Sequence, residues 1–440
     1  MSRTLSAVTL LSLLTLTLAA CGGDDEQQRL PPLVFEQPEE EGDAGTGDAP
    51  PPTFPSTATA NTLRVAGRSS IENAAGVASA VHPAVDERTR PAAVTLVDVE
   101  DWQGGVAASV LASGALEAPT LLTDGNDIPV VTAGTLSRLD PAGARLADDA
   151  EVVAIGGDVP EPDGRRVEVI EGEGPYQTAA EIDSFHAAVE GQPSDDVLIA
   201  SGEEPEFAMP AAAWAARSGD AVLFTERDSL PAATRAAIED HEEPDVYVLG
   251  PETVISESVI RELEKVGGPV ERIEGDEPVE NAVEFARYLN GDFGWGLVTP
   301  GNNYTLASVT NPLDAAAAAP LAAEGTFAPL LLTDDESKVP PALRGYFLDV
   351  QPGYEVNPNE GVFNRVWLLG DESTLSLSLQ AEVDRLSELV PVDVGGGGDA
   401  GGGGGSGGSG PDLPGTGGGP PDSPGGIPAP QGPGLPGDGA

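Results

Sequence analysis

Residues 221–250 read AVLFTERDSLPAATRAAIEDHEEPDVYVLG, and their pattern decides the fold. An apolar run ends at Thr225, a charged loop with a proline follows, and a short helical stretch leads to a second apolar run that ends at Gly250. A similar pattern begins with APTLLTDGNDIP at 118–129 and with APLLLTDDESKVP at 328–340. Because one pattern occurs three times, the sequence indicates internal repeats.

Each copy also begins in the same way, with a strand-like stretch that ends in glycine. The three glycines, Gly67, Gly172 and Gly275, are 105 and 103 residues apart. Alanine-rich amphipathic stretches alternate after them with short apolar runs such as VLIAS at 197–201. Apolar runs without polar alternation, joined by helical patterns, are typical of parallel strands covered by helices on both faces. We therefore predict an α/β fold of three small tandem domains with parallel sheets.

The amino-terminal residues have the features of a targeting segment. Arg3 precedes a short apolar stretch, and the sequence LAAC at 18–21 resembles the lipobox of prokaryotic lipoproteins. We predict a lipoprotein signal peptide over 1–20 and acylation of Cys21, which would anchor the protein to the membrane. An ordinary secretory signal followed by an unrelated cysteine is the alternative.

Composition and repeat spacing together set the predicted domain limits. Residues 21–61 are acidic and rich in proline, so they cannot bury enough apolar surface to fold, and we predict a disordered tether. Residues 395–440 form a tail rich in glycine and proline that is also predicted to be disordered. The three repeats are placed at 62–165, 166–268 and 269–394.

The charge of the chain is strongly unbalanced. The whole sequence carries a net charge of −52, and residues 61–394 hold 60 acidic and 19 basic residues, a net charge of −41. A field of this sign repels nucleic acid and anionic lipid. We therefore expect no nucleic-acid partner. We interpret the charge as a solvated acidic surface rather than as a patch for a dedicated cationic partner.

The ordered series of motifs resembles a known repeat family. A glycine-closed strand, an alanine-rich helix, a second such helix with PLA at 320–322, then LLT, LP and YVLG are similar to the type 2 cell-wall-binding repeat. The resemblance covers roughly residues 62–394. It implies a small Rossmann-like domain for each repeat, and three repeats packed with pseudo-threefold symmetry. It also implies non-covalent binding to an anionic wall polymer on the envelope of Gram-positive bacteria.

Four residues are candidates for polymer binding through this resemblance. Arg64 and Arg272 hold the family's arginine place three residues before the glycine, where the second repeat has Val169. A guanidinium can pair with a phosphate or an anionic sugar, although a structural ion pair is the alternative. Trp102 falls where the family often has an aromatic ring that could stack on a sugar. Asp314 matches the family's aspartate before the alanine-rich helix, where it could instead be a helix N-cap.

Other polar places of the family are not kept. A second arginine usually follows the glycine by three residues, and here those places hold Ser70, Pro175 and Pro278. The aspartate's places in the first two repeats hold Gly104 and Phe207. The scaffold is therefore retained better than the polar signature.

Nothing in the sequence points to catalysis. His82, His186 and His241 are scattered, and the chain contains neither a P-loop nor an H-E-x-x-H zinc motif. The acidic turns at 124–127 and 334–336 lack the spacing of a calcium loop. We therefore predict a protein that is not an enzyme, with no catalytic residue, cofactor or metal site.

These inferences lead to a functional hypothesis with two alternatives. We predict an extracytoplasmic lipoprotein, anchored to the membrane, whose three repeats bind or organise cell-wall polymer by multivalent contacts. A solute-binding lipoprotein of a transporter is one alternative, but it would need two lobes around a single cleft. A purely structural surface module is the other.

Overall fold

The computed structural model describes residues 57–323 and 326–392. The predicted signal peptide, the lipidation site Cys21 and the tail at 395–440 lie outside these residues, as does most of the predicted tether. Among the described helices, none combines the length and the apolar character needed to cross a membrane.

Strands in the described residues are short and mostly buried, as expected of parallel sheets covered on both faces. In chain order they are β1 (Thr57–Ala58), β2 (Thr62–Val65), β3 (Val94–Asp98), β4 (Thr120–Thr123), β5 (Val152–Ile155), β6 (Val167–Ile170), β7 (Asp196–Ser201), β8 (Ala221–Thr225), β9 (Asp245–Leu249), β10 (Val270–Ile273), β11 (Asn303–Ser308), β12 (Leu330–Thr333), β13 (Gly353–Tyr354), β14 (Arg365–Leu369) and β15 (Val390–Pro391).

Helices connect the strands and cover the sheets. In chain order they are α1 (Ser70–Val81), α2 (Trp102–Ala108), α3 (Val130–Leu139), α4 (Pro175–Glu190), α5 (Pro205–Ser218), α6 (Ala232–Asp240), α7 (Glu257–Leu263), α8 (Pro278–Arg287), α9 (Asp314–Ala323), α10 (Pro341–Asp349) and α11 (Leu377–Leu386). Short 3₁₀ turns lie at Glu87–Thr89, Ser109–Ala112, Arg145–Ala147 and Pro358–Glu360.

Three sheets with the same strand order form the frame of the molecule. The orders are β4-β3-β5-β6, β8-β7-β9-β10 and β12-β11-β14-β2-β1. All pairs within them are parallel except β1 with β2, and a separate short parallel pair joins β13 to β15. This arrangement confirms the predicted α/β fold of three small units with parallel sheets.

The first strand of each sequence repeat joins the sheet of the preceding repeat. Strand β6 pairs with β5, and β10 pairs with β9. Strand β2 pairs with β14, which lies about 300 residues further along the chain, so the first repeat completes the sheet of the third. The three units are therefore closed into a ring by strand exchange. The repeat limits proposed from the sequence remain a prediction.

The amino-terminal edge of the third sheet differs from the sequence prediction. Strand β1 lies within 21–61, the segment predicted to be a disordered tether, and pairs with β2. The carboxylate of Asp384 accepts a hydrogen bond of 2.8 Å from the backbone N–H of Asn61. Residues 57–61 are therefore part of the folded body, because β2 and Asp384 of α11 supply hydrogen-bond partners for them.

The three units share one apolar core. Helices α2, α5 and α9, which follow the central strands of the three sheets, contact one another at the centre of the molecule. They are rich in alanine and glycine, and these small side chains let the helix axes approach closely. A methyl group added at Gly105 of α2 would lie 2.5 Å from a methyl group of Leu313. The close contact of equivalent helices gives the body its pseudo-threefold arrangement.

The glycines that end the first strands mark the points where the chain passes from one sheet to the next. A Cβ atom at Gly67, Gly172 or Gly275 would overlap with the backbone at the start of the following helix. The Gly67 N–H donates to Asn73 Oδ1 at 3.0 Å, and the Gly275 N–H donates to Asn281 Oδ1 at 3.2 Å. Close backbone approach therefore explains the glycine period seen in the sequence.

Candidate functional site

The carboxyl ends of the central strands lead directly into the helices at the centre of the body. At this edge Asp101 caps α2, where its carboxylate accepts a hydrogen bond of 2.8 Å from the Gly104 N–H. The cap fixes Trp102 as the first residue of the helix. The ring of Trp102 makes an edge-to-face contact with Phe224 of the second sheet, with ring centroids 5.7 Å apart. Trp102 therefore lies where units meet.

A groove of about 480 Å³ opens beside Trp102. Three segments line it: 68–71 at the start of α1, 99–102 at the start of α2, and 310–313 before α9. The first two belong to the first repeat and the third belongs to the third repeat. The groove thus lies between units and is lined by an aromatic ring, hydroxyl groups, an arginine and the carboxylate of Glu100.

Arg68 supplies the positive charge of this groove. Its side chain is 79% exposed and pairs with Glu72 at 3.1 Å on the surface. Ser69 caps α1, and the Glu72 carboxylate accepts a hydrogen bond of 2.9 Å from the Arg68 backbone N–H. A helix N-terminus favours a nearby negative charge, and an exposed ion pair of this kind contributes little and can exchange partners. Arg68 is therefore the basic side chain that lines the groove, and Glu100 is the acidic one.

Arg64, a predicted binding residue, is buried rather than placed in the groove. Its side chain is 1% exposed. The guanidinium donates to the carbonyl oxygens of Gly370 and Asp371 at 2.7 and 3.0 Å and to Gln380 Oε1 at 3.0 Å. Burial lowers the pKa of Arg64, although the nearby carboxylates of Asp371 and Glu372 oppose the shift. Its contacts hold β2 to the third sheet.

Arg272 occupies the same place in the third repeat and makes a similar contact. It donates to the carbonyl oxygen of Gly250 at 2.8 Å and pairs with Glu257 at 3.1 Å. Gly250 ends β9, as Gly370 ends β14, so both arginines bind the strand end of the neighbouring repeat. These contacts favour the structural alternative for both residues. Their role in polymer binding remains a prediction.

Asp314 links the third unit to the first from a buried position. Its side chain is fully buried, and Oδ1 accepts a hydrogen bond of 3.0 Å from Asn73 Nδ2 of α1. Burial raises the pKa of Asp314, while hydrogen bonds from Asn73, Ser70 and Asn311 oppose the shift. These contacts favour a structural role at the boundary between units, and polymer binding by Asp314 remains a prediction.

Of the four candidates from the sequence, only Trp102 lines the groove, and the sequence analysis missed Arg68. A signal for it was present in the alignment of the repeats. The residue that directly follows the strand-ending glycine is Arg68 in the first repeat, Glu173 in the second and Asp276 in the third. A basic residue at a place that is otherwise acidic marks the first repeat as different.

The histidines make internal contacts. His241 bridges the Ser194 carbonyl oxygen and the Asp183 carboxylate at 2.7 Å each, and burial lowers the pKa of His82 to about 4. Within residues 57–323 and 326–392, no group of three or more His, Cys, Asp or Glu side chains is arranged to hold a metal ion.

Comparison with known proteins supports one family. The family model described as cell wall binding domain 2 (CWB2) matches residues 169–260 and 272–380. These matches support the cell-wall-binding repeat family for this chain and agree with the repeats found in the sequence. A search of curated proteins gave no match.

Two solved structures share the fold. Cwp6 from Clostridium difficile superposes with a TM-score of 0.60 at 20% sequence identity, and Cwp8 from the same organism with 0.57 at 19%. Each alignment covers 74% of this chain, but only 48% of Cwp6 and 52% of Cwp8. The chain therefore corresponds to about half the length of each structure.

Proposed function

We propose that this protein is a non-enzymatic cell-envelope protein whose folded body associates with cell-wall polymer by non-covalent contacts. The observation that carries the proposal is the groove beside Trp102, in a body whose second and third repeats match the model of a cell-wall-binding family. The family implies a location outside the cytoplasm that faces the wall. Acylation of Cys21 would keep the protein at the membrane surface below it.

Charge is the main physical obstacle to this function. A body with a net charge of −41 repels an anionic polymer, so the contact region must be locally less negative or use bridging cations. Arg64 and Arg272 already bind carbonyl oxygens within the protein. Arg68 is the exposed cation beside the groove, and it supports contact at this place.

Sedimentation with isolated cell walls tests the proposal. We would use the full chain carrying Cys21→Ser, so that no lipid contributes to binding. Walls should carry the protein into the pellet, and retention should fall as salt rises because the contacts are partly electrostatic. A calcium series would reveal bridging cations. If the protein stays in the supernatant at every salt and calcium concentration, the wall-binding function is wrong.

A purely structural surface module is the second candidate. Three of the four residues singled out by the family resemblance, Arg64, Arg272 and Asp314, make internal hydrogen bonds, which is expected of a scaffold that has no ligand. A scaffold would not sediment with walls. The solute-binding alternative has less support, because the described residues form three sheets around a common centre rather than two lobes around one cleft.

A further inference from the structure

The pseudo-threefold body has three boundaries between units, so the segments that line the groove beside Trp102 have counterparts at two other places. The three units can be aligned by the pairing of their central strands β3, β7 and β11. The last residues of these strands, Asp98, Ser201 and Ser308, each pair with the threonine that ends the adjacent strand. We name the three places groove 1, groove 2 and groove 3. Groove 1 comprises 68–71, 99–102 and 310–313. Groove 2 comprises 173–176, 202–205 and 100–103. Groove 3 comprises 276–279, 309–312 and 203–206.

The three grooves differ sharply in charge. The segments of groove 1 carry a net charge of −1, whereas those of grooves 2 and 3 each carry −5. The difference arises partly because Arg68 is replaced by Glu173 in groove 2 and by Asp276 in groove 3. Several carboxylates close together repel an approaching anion and leave no cation to pair with it. Groove 1 is therefore the least repulsive of the three places for an anionic ligand, and it alone has a basic residue in its segments.

At groove 2, side chains from the first and second units both contact Gly202. The ring of Tyr176 lies so close to Gly202 that a Cβ atom there would be 2.7 Å from it. Gln103 Nε2 donates to the Gly202 carbonyl oxygen at 3.2 Å and ties the first unit to the second. In groove 1 the place of Gln103 holds Leu313, whose side chain has no donor for such a bond.

The aromatic residues also differ between the grooves: Trp102 belongs to the segments of grooves 1 and 2, Tyr176 belongs to groove 2, and groove 3 has neither. Trp102 corresponds to Pro205 in the second repeat and to Pro312 in the third. An indole ring offers a broad apolar face to the C–H groups of a sugar, and proline offers a much smaller one. Only groove 1 combines this ring with an exposed arginine and the N-terminus of α1, a helix of 12 residues.

We propose that the body has a single binding site, groove 1, and that its ligand is a saccharide unit bearing a phosphate or carboxylate. In this site the sugar stacks on Trp102, and its anionic group lies between Arg68 and the first turn of α1. The inference rests on the proposed wall-binding function, but it replaces binding by all three repeats with binding at one place. The repeats give one site per chain, so threefold repetition builds the site without multiplying it.

Sedimentation of charge-reversal variants with isolated cell walls tests the location of the site. Arg68→Glu should weaken binding about tenfold or more, because it removes a charge-assisted contact and adds repulsion. Arg88→Glu is the matched control, since Arg88 is 89% exposed, pairs only with nearby Asp86 at 3.0 Å and lies in a turn before β3. The control makes the same change in net charge and should bind like the parent protein.

Trp102 needs a variant that preserves packing, because its ring also contacts Phe224. Trp102→Phe should retain the fold and lose part of the binding, and unfolding curves would confirm that each variant is folded. Calorimetric titration with anionic oligosaccharide released from the walls by mild acid should give one ligand per chain.

The outcomes separate the site from the function. Wall binding by the parent that Arg68→Glu leaves unchanged would overturn groove 1 and leave the proposed function standing. A ratio of three ligands per chain would overturn the single site. Absence of wall binding by the parent would overturn both.

Discussion

Asn73 and Asn281 occupy the same place in the first and third repeats, six residues after the glycine that ends the first strand. Asn73 Nδ2 donates to Asp314, whereas Asn281 Nδ2 is buried without a hydrogen-bond partner in the described part of the chain. The place in the second repeat that corresponds to Asp314 holds Phe207. Because phenylalanine accepts no hydrogen bond, equivalent boundaries between units differ in their polar contacts.

Asp314→Asn should make stability less dependent on pH. Burial raises the pKa of Asp314 in the folded state. At pH values between the unfolded-state and folded-state pKa, the native state therefore binds more protons than the unfolded state. The free energy of unfolding consequently falls as pH rises through this range. Asparagine keeps an acceptor for Asn73 without a buried charge. We expect the variant to gain stability relative to the parent as pH rises through this window, as measured by urea unfolding from pH 4 to 8.

The control for this prediction is Asp314→Ala, which leaves Asn73 Nδ2 without its partner. We expect it to lose about 1–3 kcal/mol of unfolding free energy. If Asp314→Asn is as destabilised as the alanine variant and equally insensitive to pH, the proposed cost of the buried charge is wrong.

Arg64→Ala should destabilise the protein much more than Arg272→Ala. Arg64 is buried and donates to three acceptors, so its removal leaves a cavity and unpaired carbonyl groups, at a cost of about 3 kcal/mol. Arg272 lies nearer the surface, and we expect a cost of about 1 kcal/mol. Chemical denaturation measures both. An Arg64→Ala protein of parental stability that no longer binds walls would instead support the binding role predicted from the sequence.

The connections between strands and helices decide how the units exchange strands. After β2, β6 and β10, the chain leaves one sheet and begins the helix that covers the next sheet. The turn is tight enough that the strand-ending glycine touches the backbone of the helix. A side chain at this place would push the helix away from the sheet, so this connection should be among the least tolerant of substitution in each repeat.

Gly172→Ala tests this expectation, and Gly134→Ala is its control. The added Cβ at Gly172 would overlap with the backbone of Thr178, and we expect a loss of about 1–3 kcal/mol. Gly134 lies inside α3 with no atom within 4 Å of an added Cβ. Alanine there should be neutral or stabilise by about 0.5–1 kcal/mol. Thermal unfolding compares the two, and equal midpoints would contradict the steric argument.

The body as a whole is a ring of three units that is closed by strand exchange. Closure depends on β2, which belongs to the first repeat by sequence and to the third sheet by pairing. Residue 57 therefore lies at the edge of the third sheet, and an acylated Cys21 would be connected to the body at this edge. The net charge of −41 keeps the remaining surface repulsive toward anionic lipid.

Membrane attachment is therefore expected to depend on acylation of Cys21 rather than on the body. Cys21→Ser should shift the protein from the membrane fraction to the soluble fraction or the medium, because two acyl chains supply stable anchoring and the acidic body supplies none. Cell fractionation and immunoblotting measure the shift. Equal membrane retention of the variant would show that the anchor lies elsewhere.

The sequence by itself was sufficient to predict the repeats and the parallel sheets. Runs such as VLIAS at 197–201 and LLLT at 330–333 are buried on both faces, so local composition reports their environment directly. The glycine period was also visible in the sequence. A side chain at Gly67, Gly172 or Gly275 would overlap with the backbone five or six residues later, so each repeat has glycine at this place. Both signals are local, and local signals can be interpreted without knowing the rest of the fold.

Only the tertiary structure decided which sheet each first strand joins and where the candidate residues point. Arg64 binds Gly370, which is 306 residues away, and a backbone carbonyl oxygen carries no sequence signal of its partner. Strand edges likewise pair through backbone groups that are the same in every residue. Groove 1 is formed by segments of the first and third repeats that ring closure brings together, and so it depends on contacts between distant parts of the chain.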